Sequence, residues 1–172
     1  MSKRVIKCNL SQKSIKNTIK QLEEYQNSLR DKNELFLKRL CELGIPVIDQ
    51  NISIAQGDSD KNHNTYIKIN RFGNYTQATL VCEGIDLNFI EFGAGIFYNG
   101  EAGSSPHPKG EEFGYTIGSY GQGKGKNESW VYVAESGEWV RSYGTEATMP
   151  MYKASVEIMQ NIRRIAKEVF ST

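Results

Sequence analysis

The sequence predicts an α+β fold: a long N-terminal helix, a small antiparallel β-sheet and a C-terminal helix packed on that sheet. Apolar residues recur at helical steps of three and four from Ile15 to Leu43, and again from Met151 to Val169. Short segments rich in β-branched and aromatic residues lie between these two stretches. The chain has 172 residues, which is enough for one domain with its own core, so we expect a single domain over 1–172.

The first helix has a clear start and a predicted end. Asn9 or Ser11 supplies a capping side chain, and Gly44 followed by Pro46 predicts that the helix stops there. A continuous helix and a break at residues 31–33 both fit, because those residues have poor helix propensity or compete locally for hydrogen bonds. A coiled coil and packing on a sheet also both fit the repeat. The flanking charges are not systematic, which favours packing on a sheet.

The remaining elements follow from period-two patterns and turn residues. Five short strands are predicted, at Arg4–Cys8, Thr65–Ile69, Tyr75–Cys82, Ser129–Ala134 and Glu138–Ser142. Residues 85–92 form a compact apolar element, in which Asp86 is placed to cap a helical turn. The last helix is predicted from Pro150 to Phe170, with Thr148 as its cap and the proline in its first turn.

Composition and charge limit the classes of function. No run of 18 apolar residues occurs, so no membrane span is expected. The N-terminus is basic but has no apolar stretch of signal-peptide length. Three widely spaced cysteines without a CxxC motif predict buried free thiols. Residues 1–43 carry a net charge of +5 and residues 44–172 a net charge of −4, which is not basic enough to indicate nucleic-acid binding. Such opposite charges suit copies that meet head to tail in a ring, and they suit pairing within one chain equally well.

A glycine-rich run is the most unusual feature of the chain, since ten of the 33 residues from Gly93 to Gly125 are glycine. A loop of this length in a short chain is typically functional or disordered, so we expect an assembly loop at about 94–128. Residues 118–124 match GxxxxGK, but the following residue is Gly125 instead of serine or threonine. No helix pattern follows the lysine either, which argues against a phosphate-binding loop.

The candidate chemistry of the titratable residues is weak. His63 and His107 are the only histidines, and no local signature pairs either with a cysteine. The carboxylate pairs Glu111/Glu112 and Glu135/Glu138, and the acidic loop with Asp58 and Asp60, lack catalytic or calcium-binding patterns. We therefore expect no catalytic residue, no metal and no cofactor.

Glu91 stands apart from the other acidic residues because it lies between Ile90 and Phe92 in the apolar element. This position predicts a buried carboxylate that accepts hydrogen bonds from the backbone amides of the glycines that follow it. A structural role is favoured over acid–base catalysis.

Several segments, in order, resemble a family of tail-completion or neck proteins, which join head to tail in long-tailed double-stranded DNA phages. Phe89–Gly95 (FIEFGAG) resembles the family's aromatic–Val–Glu–Phe–Gly–Thr–Gly segment, and Ser105–Pro108 resembles its His-Pro loop. Trp130 and Trp139 resemble its aromatic hairpin, and Gly144–Ala154 resembles the segment that leads into its final helix. No single motif is specific; their order and spacing carry the resemblance.

The resemblance covers residues 85–170, and what it implies is structural. It implies a small α+β virion subunit of a phage or prophage, made in the host bacterial cytoplasm, that forms a ring of six copies between head and tail. The implied partners are other copies of the chain, head-completion proteins and tail-tube or tail-terminator proteins. No membrane contact is implied, and DNA at most passes through the lumen of the ring. The family has no known catalytic chemistry. Residues 46–54 depart from its pattern, because they lack its Thr-Gly pair and arginine.

The resemblance and the residue patterns together predict a set of assembly or interface residues. These are Glu91, Phe92, Gly93, Gly95, His107, Tyr115, Tyr120, Trp130, Trp139, Pro150 and Tyr152. We also expect residues 94–128 and 55–64 to become ordered against neighbouring subunits or adjoining rings, and the glycine-rich run to be ordered only among partners. Two alternatives remain open: a small hydrolase or nucleotide-binding enzyme that uses the glycine-rich loop and His107, and a monomeric module that binds a host protein.

Overall fold

The computed structural model describes residues 5–73, 75–94, 105–114, 129–134 and 136–171, and it confirms an α+β architecture with a long N-terminal helix and a C-terminal helix. Its elements are α1 (Gln12–Ile54), β1 (Asn64–Arg71), β2 (Thr76–Glu83), α2 (Leu87–Phe92), β3 (Trp130–Val133), β4 (Trp139–Ser142) and α3 (Pro150–Phe170). The strands form two antiparallel hairpins, β1–β2 and β3–β4. Within this part of the chain, no helix is both long and apolar enough to cross a membrane.

Helix α1 is one continuous element of 43 residues, about 65 Å long at 1.5 Å per residue. It begins after Ser11, whose hydroxyl accepts a hydrogen bond from Ser14 N at 3.2 Å, which confirms one of the two predicted caps. It runs without interruption through residues 31–33. The predicted end at Gly44 is wrong, because the helix continues past Pro46 to Ile54.

Burial explains why the helix passes these two residues. Pro46 removes one backbone hydrogen bond, at a cost of about 3 kcal/mol in a helix interior. Ile48 and Ile52 lie beyond it and are completely buried, which contributes about 1.5–3 kcal/mol for each side chain. Gly44 allows a close approach, since a Cβ atom there would lie 2.5 Å from Leu80 Cδ2. Tertiary packing therefore outweighs two local signals that predict a helix end.

The β1–β2 hairpin and α3 both pack on α1, whose buried residues lie between Leu40 and Ile52. The hairpin register runs from Asn64 opposite Glu83 to Arg71 opposite Thr76. The alternate β2 residues predicted to face one side (Thr76, Ala78, Leu80 and Cys82) are all less exposed than the residues Gln77 and Thr79 between them. The period-two reading of this strand is confirmed.

Two apolar clusters hold these elements together. The first contains the buried residues Ile48, Ile52, Ala55, Ile90 and Ala154. The second joins Leu40 of α1 to Ile165 and Val169 of α3, with Phe36 and Phe170 in ring contact at 5.8 Å between centroids. The principal neighbour of α3 is thus α1, which in turn lies on the hairpin.

Two expectations for the flanking segments are wrong. Residues 5–9 form no strand, because they precede the α1 cap and are bonded locally around Asn9 and Ser11. Residues 55–64 contact their own chain instead of awaiting a neighbour. Asp58 Oδ2 accepts from Tyr143 N at 2.8 Å, and Gly57 pairs with Thr145 in an isolated β-bridge.

Candidate functional site

Five of the predicted interface residues meet in one place, where the end of α2, the 105–110 turn and the start of α3 come together. We call this place the α2–α3 junction; it contains Glu91, Phe92, His107, Pro150 and Tyr152. Glu91, Phe92, His107 and Pro150 are buried, and Tyr152 is half-buried. Segments separated by up to 61 positions in the sequence therefore form a single unit.

Glu91 organises the junction through three hydrogen bonds to its carboxylate. Oε2 accepts from Met151 N at 2.7 Å, and Oε1 accepts from Tyr152 N at 2.9 Å. Oε1 also accepts from His107 Nε2, at 3.0 Å. The two amides belong to the first turn of α3, so a carboxylate from a distant helix satisfies amides that have no partner within that helix and interacts favourably with its dipole.

This arrangement corrects two predictions about caps. Glu91 is buried as expected, but its partners are the amides of α3 and His107, not the glycines that follow it. Thr148 does not cap α3. The N-cap residue is Met149, in the left-handed conformation with φ 55° and no side-chain cap, while the Thr148 hydroxyl donates to Asn51 O at 2.7 Å.

His107 is fixed on all sides of its ring. Its Nδ1 accepts from Lys109 N at 3.0 Å, so Nε2 carries the proton that it donates to Glu91. The ring lies 4.5 Å from the Phe92 ring and 5.3 Å from the Tyr152 ring, measured between centroids. Ser105 completes the turn by donating its hydroxyl hydrogen bond to Phe92 O. Residues 105–110 thus pack on their own chain, so the prediction that this part of the run orders only among partners is wrong.

The junction is poorly suited to acid–base or nucleophilic chemistry. Both ring nitrogens of His107 already have partners, so neither is free to take a proton from a substrate. Cys82 lines the adjacent cavity of about 380 Å³ together with Glu91 and His107. Burial raises the pKa of the Cys82 thiol, which disfavours the nucleophilic thiolate form.

The β3–β4 hairpin carries another predicted interface residue, Trp139, whose side chain is 76% exposed. Trp139 pairs with Val133, and Val131 pairs with Arg141, so these four side chains share one face of the hairpin. All four are exposed. We call this face the outer hairpin face. Trp130 provides the first backbone position of β3.

The other predicted interface positions have different outcomes. Gly93 ends α2 with φ 81°, a value that favours glycine. Gly95, Tyr115 and Tyr120 lie outside the described residues, as do the GxxxxGK segment and most of the glycine run. In the ranges that the structure describes, no group of three His, Cys, Asp or Glu side chains is placed to hold a metal ion.

Sequence reasoning missed two residues that tie the junction to the rest of the fold. Thr145 exchanges backbone hydrogen bonds with Ala94 at 2.9 and 3.0 Å, and its hydroxyl bonds to Ser59. Asn51 is buried on α1 and accepts from Lys153 Nζ at 2.8 Å through its side chain. No local pattern marks these long-range contacts, since Ala94 lies 51 positions from Thr145 and Lys153 lies 102 positions from Asn51.

No protein-family model, curated protein or solved structure matches this chain. The resemblance to phage neck proteins therefore remains a hypothesis carried by the quoted motifs.

Proposed function

We propose that this chain is a structural subunit of a phage or prophage virion that assembles into a ring and completes the tail or joins tail to head. The observation that carries the proposal is the outer hairpin face. It presents Val131, Val133 and Trp139 to solvent on the same side of one two-stranded hairpin. A clustered apolar face with an exposed tryptophan is characteristic of a protein–protein contact.

The small size of the hairpin supports an assembly role. Each strand has four residues, and a two-stranded hairpin alone is marginally stable in water. Its inner side meets the body of the chain, where Ser142 is buried and Tyr132 lines a cavity with Asp58 and Phe89. A neighbouring subunit on the outer face would bury the remaining apolar side chains and hold the hairpin from both sides.

The α2–α3 junction supports a structural function over an enzymatic one. Its histidine and carboxylate satisfy each other and the first turn of α3, so the polar groups stabilise the fold. The junction also contains residues from three of the four segments that carry the resemblance, including Phe92 and His107. Under this proposal, the segments that resemble the neck family serve to position the hairpin and α3, and they do not bind a substrate.

The test uses Trp139→Ser, with Tyr75→Ser as a matched control. Tyr75 is an exposed aromatic residue at the tip of the β1–β2 hairpin, 56% exposed. Electron microscopy and mass measurements on the purified wild type should show rings, which the Trp139 variant loses and the Tyr75 variant keeps. In a phage that encodes the chain, the Trp139 variant should accumulate separate heads and tails. If a phage from which the gene for this chain has been deleted still yields particles with joined heads and tails at the wild-type level, the proposal is overturned.

A further inference from the structure

The N-terminal part of α1 projects beyond the folded body with an apolar stripe on its surface. Among the described residues, the first hydrogen bond from α1 to another element is that of Arg30, whose Nη2 donates to Gly73 O at 3.0 Å. Residues 12–29, which we call the arm, precede this contact and extend about 27 Å. Ile15, Ile19 and Leu22 on the arm are 41%, 51% and 51% exposed.

The stripe on the arm is continuous with an interface inside the chain. The spacing of four and three residues that begins at Ile15 leads through Leu29 to Phe36 and Leu40. Leu40 is 7% exposed, because it packs on Ile165 and Val169 of α3. Helix α3 ends at Phe170, beside Phe36, so the stripe on the arm lies beyond the reach of α3. The apolar stripe that packs on α3 at Phe36 and Leu40 is thus exposed along the arm.

We propose that the arm pairs antiparallel with the arm of a second copy of this chain. The inference does not rest on the proposed virion function. Ile19 of each copy would face Leu22 of the other at the centre, so two layers of large apolar side chains meet there. Ile15 would face Gln26, and Gln12 at the start of the helix would face Leu29 at the end of the arm.

The length of the arm fits this register. With Ile19 opposite Leu22, residues 12–29 of the two copies overlap over their whole length. Gln12, the first residue of one helix, then lies beside Leu29 of the second copy. Leu29 directly precedes Arg30, where the tip of the β1–β2 hairpin contacts α1. A shift toward greater overlap would drive the helix start into that tip, whereas a shift the other way would expose apolar residues.

The charges beside the stripe favour the antiparallel orientation. Lys16 and Glu23 lie seven residues apart on one edge of the stripe, and the other edge carries Thr18 and Tyr25. In the proposed register, the charged edge of one arm meets the charged edge of the other. Lys16 of each copy therefore faces Glu23 of the other copy, which gives two equivalent ion pairs. In a parallel pair, each charged edge would meet the uncharged edge and gain no ion pair.

The expected association is weak because the contact is small. Two arms of this length bury less than the roughly 1,200 Å² of a standard interface, so we expect dimers to form at roughly 10 μM to 1 mM protein. Sedimentation equilibrium under reducing conditions, which prevents disulfides through the exposed Cys8, measures this directly. The measurement is repeated on Trp139→Ser, so that any contact through the outer hairpin face is separated from arm pairing.

The decisive comparison is a charge exchange. Lys16→Glu and Glu23→Lys should each weaken the dimer by about tenfold, and the double variant should restore it. Lys13→Glu changes the net charge equally on the opposite side of the helix and should leave the dimer unchanged, whereas Leu22→Asp should abolish it without altering the fold of the monomer. A wild type that stays monomeric up to about 1 mM, or a dimer in which the double variant fails to rescue, would overturn the inference.

Discussion

His107 Nε2 lies 3.0 Å from Glu91 Oε1 in the buried α2–α3 junction, and the same carboxylate accepts two amides from the first turn of α3. A charged acceptor that satisfies three donors away from water contributes more to stability than an exposed ion pair does. The junction is therefore the place where single substitutions test the fold most directly.

Glu91→Gln should lower the free energy of unfolding by about 1–3 kcal/mol. The amide keeps the side-chain volume but removes the negative charge at the start of α3 and leaves one oxygen for three donors. Urea unfolding followed by circular dichroism measures the change. Glu112→Gln is the matched control, because Glu112 is exposed, and it should stay within about 0.5 kcal/mol of the wild type. Equal effects of the two substitutions would contradict the capping role of Glu91.

Gly57→Ala should destabilise the chain by roughly 2 kcal/mol or more, since it combines strain with a clash. The residue has φ 118°, and an added Cβ would lie 2.1 Å from Gly144 O. Gly137→Ala separates the two causes, because Gly137 has φ 83° but open space around it, and should cost only about 1 kcal/mol. Thermal unfolding ranks the variants. Gly57→Ala with wild-type stability would show that residues 55–60 do not depend on the contact with Gly144.

Leu40→Ala and Leu22→Ala test the division of α1 into a packed half and an arm. Leu40 is buried against α3, so its truncation should cost about 2–4 kcal/mol. Leu22 is half-exposed on the arm, so its truncation should change the unfolding free energy of the monomer by less than about 0.5 kcal/mol. Urea titrations at low protein concentration keep the chain monomeric for this comparison. A large loss in Leu22→Ala would mean that the arm packs on the body.

The three cysteines should differ in their reactivity toward a thiol reagent at pH 8. Burial raises the pKa of Cys41 and of Cys82 above the ordinary value of 9.0, while Cys8 is exposed. We expect Cys8 to be labelled first and the other two at least about tenfold more slowly. Mass spectrometry of timed samples identifies the labelled residue. Protein unfolded in urea is the control, and there the three rates should converge.

The same raised pKa values fix the sign of a pH effect on stability. The folded chain holds the thiol protons more tightly than the unfolded chain, so this contribution is fully present below pH 9.0 and is lost as the pH rises through the folded values. Replacing Cys41 and Cys82 by alanine should flatten the fall in stability between about pH 8 and 10. An unchanged slope in the double variant would assign that fall to other groups.

Patterns with a local cause were predictable from the sequence. The alternation of Leu80 and Cys82 reflects burial on one side of the strand, and that prediction is confirmed. The helix from Pro150 to Phe170 is confirmed as well, although Met159 and Ile162 of its predicted apolar spacing are exposed. The continuation of α1 past Gly44 was not predictable, because it depends on packing against Leu80 and Ala154 from other elements. Local signals describe a segment in isolation, and here tertiary burial outweighs them.

Five of the eleven predicted interface residues meet at the α2–α3 junction, but its geometry was not predictable. The motifs that resemble the neck family identified Glu91, His107 and Tyr152, which the structure brings together. Their bonds could not be deduced, because a carboxylate between two apolar residues has many potential donors and the true ones lie 16, 60 and 61 positions away. Thr148 shows the reverse error: a suitable capping residue beside a helix donates instead to Asn51 on α1.

The remote cap of α3 has a consequence for the order of folding. Its N-cap, Met149, offers no side-chain bond, so the first turn gains its acceptor only when α2 is already in place. A peptide of residues 148–171 would lack that acceptor, and its first turn would fray. During synthesis, Glu91 emerges long before the amides that it binds. Packing of α3 against the rest of the chain therefore completes a site in which Glu91 is already present. The packing of α3 and the formation of its first turn thus become one cooperative event.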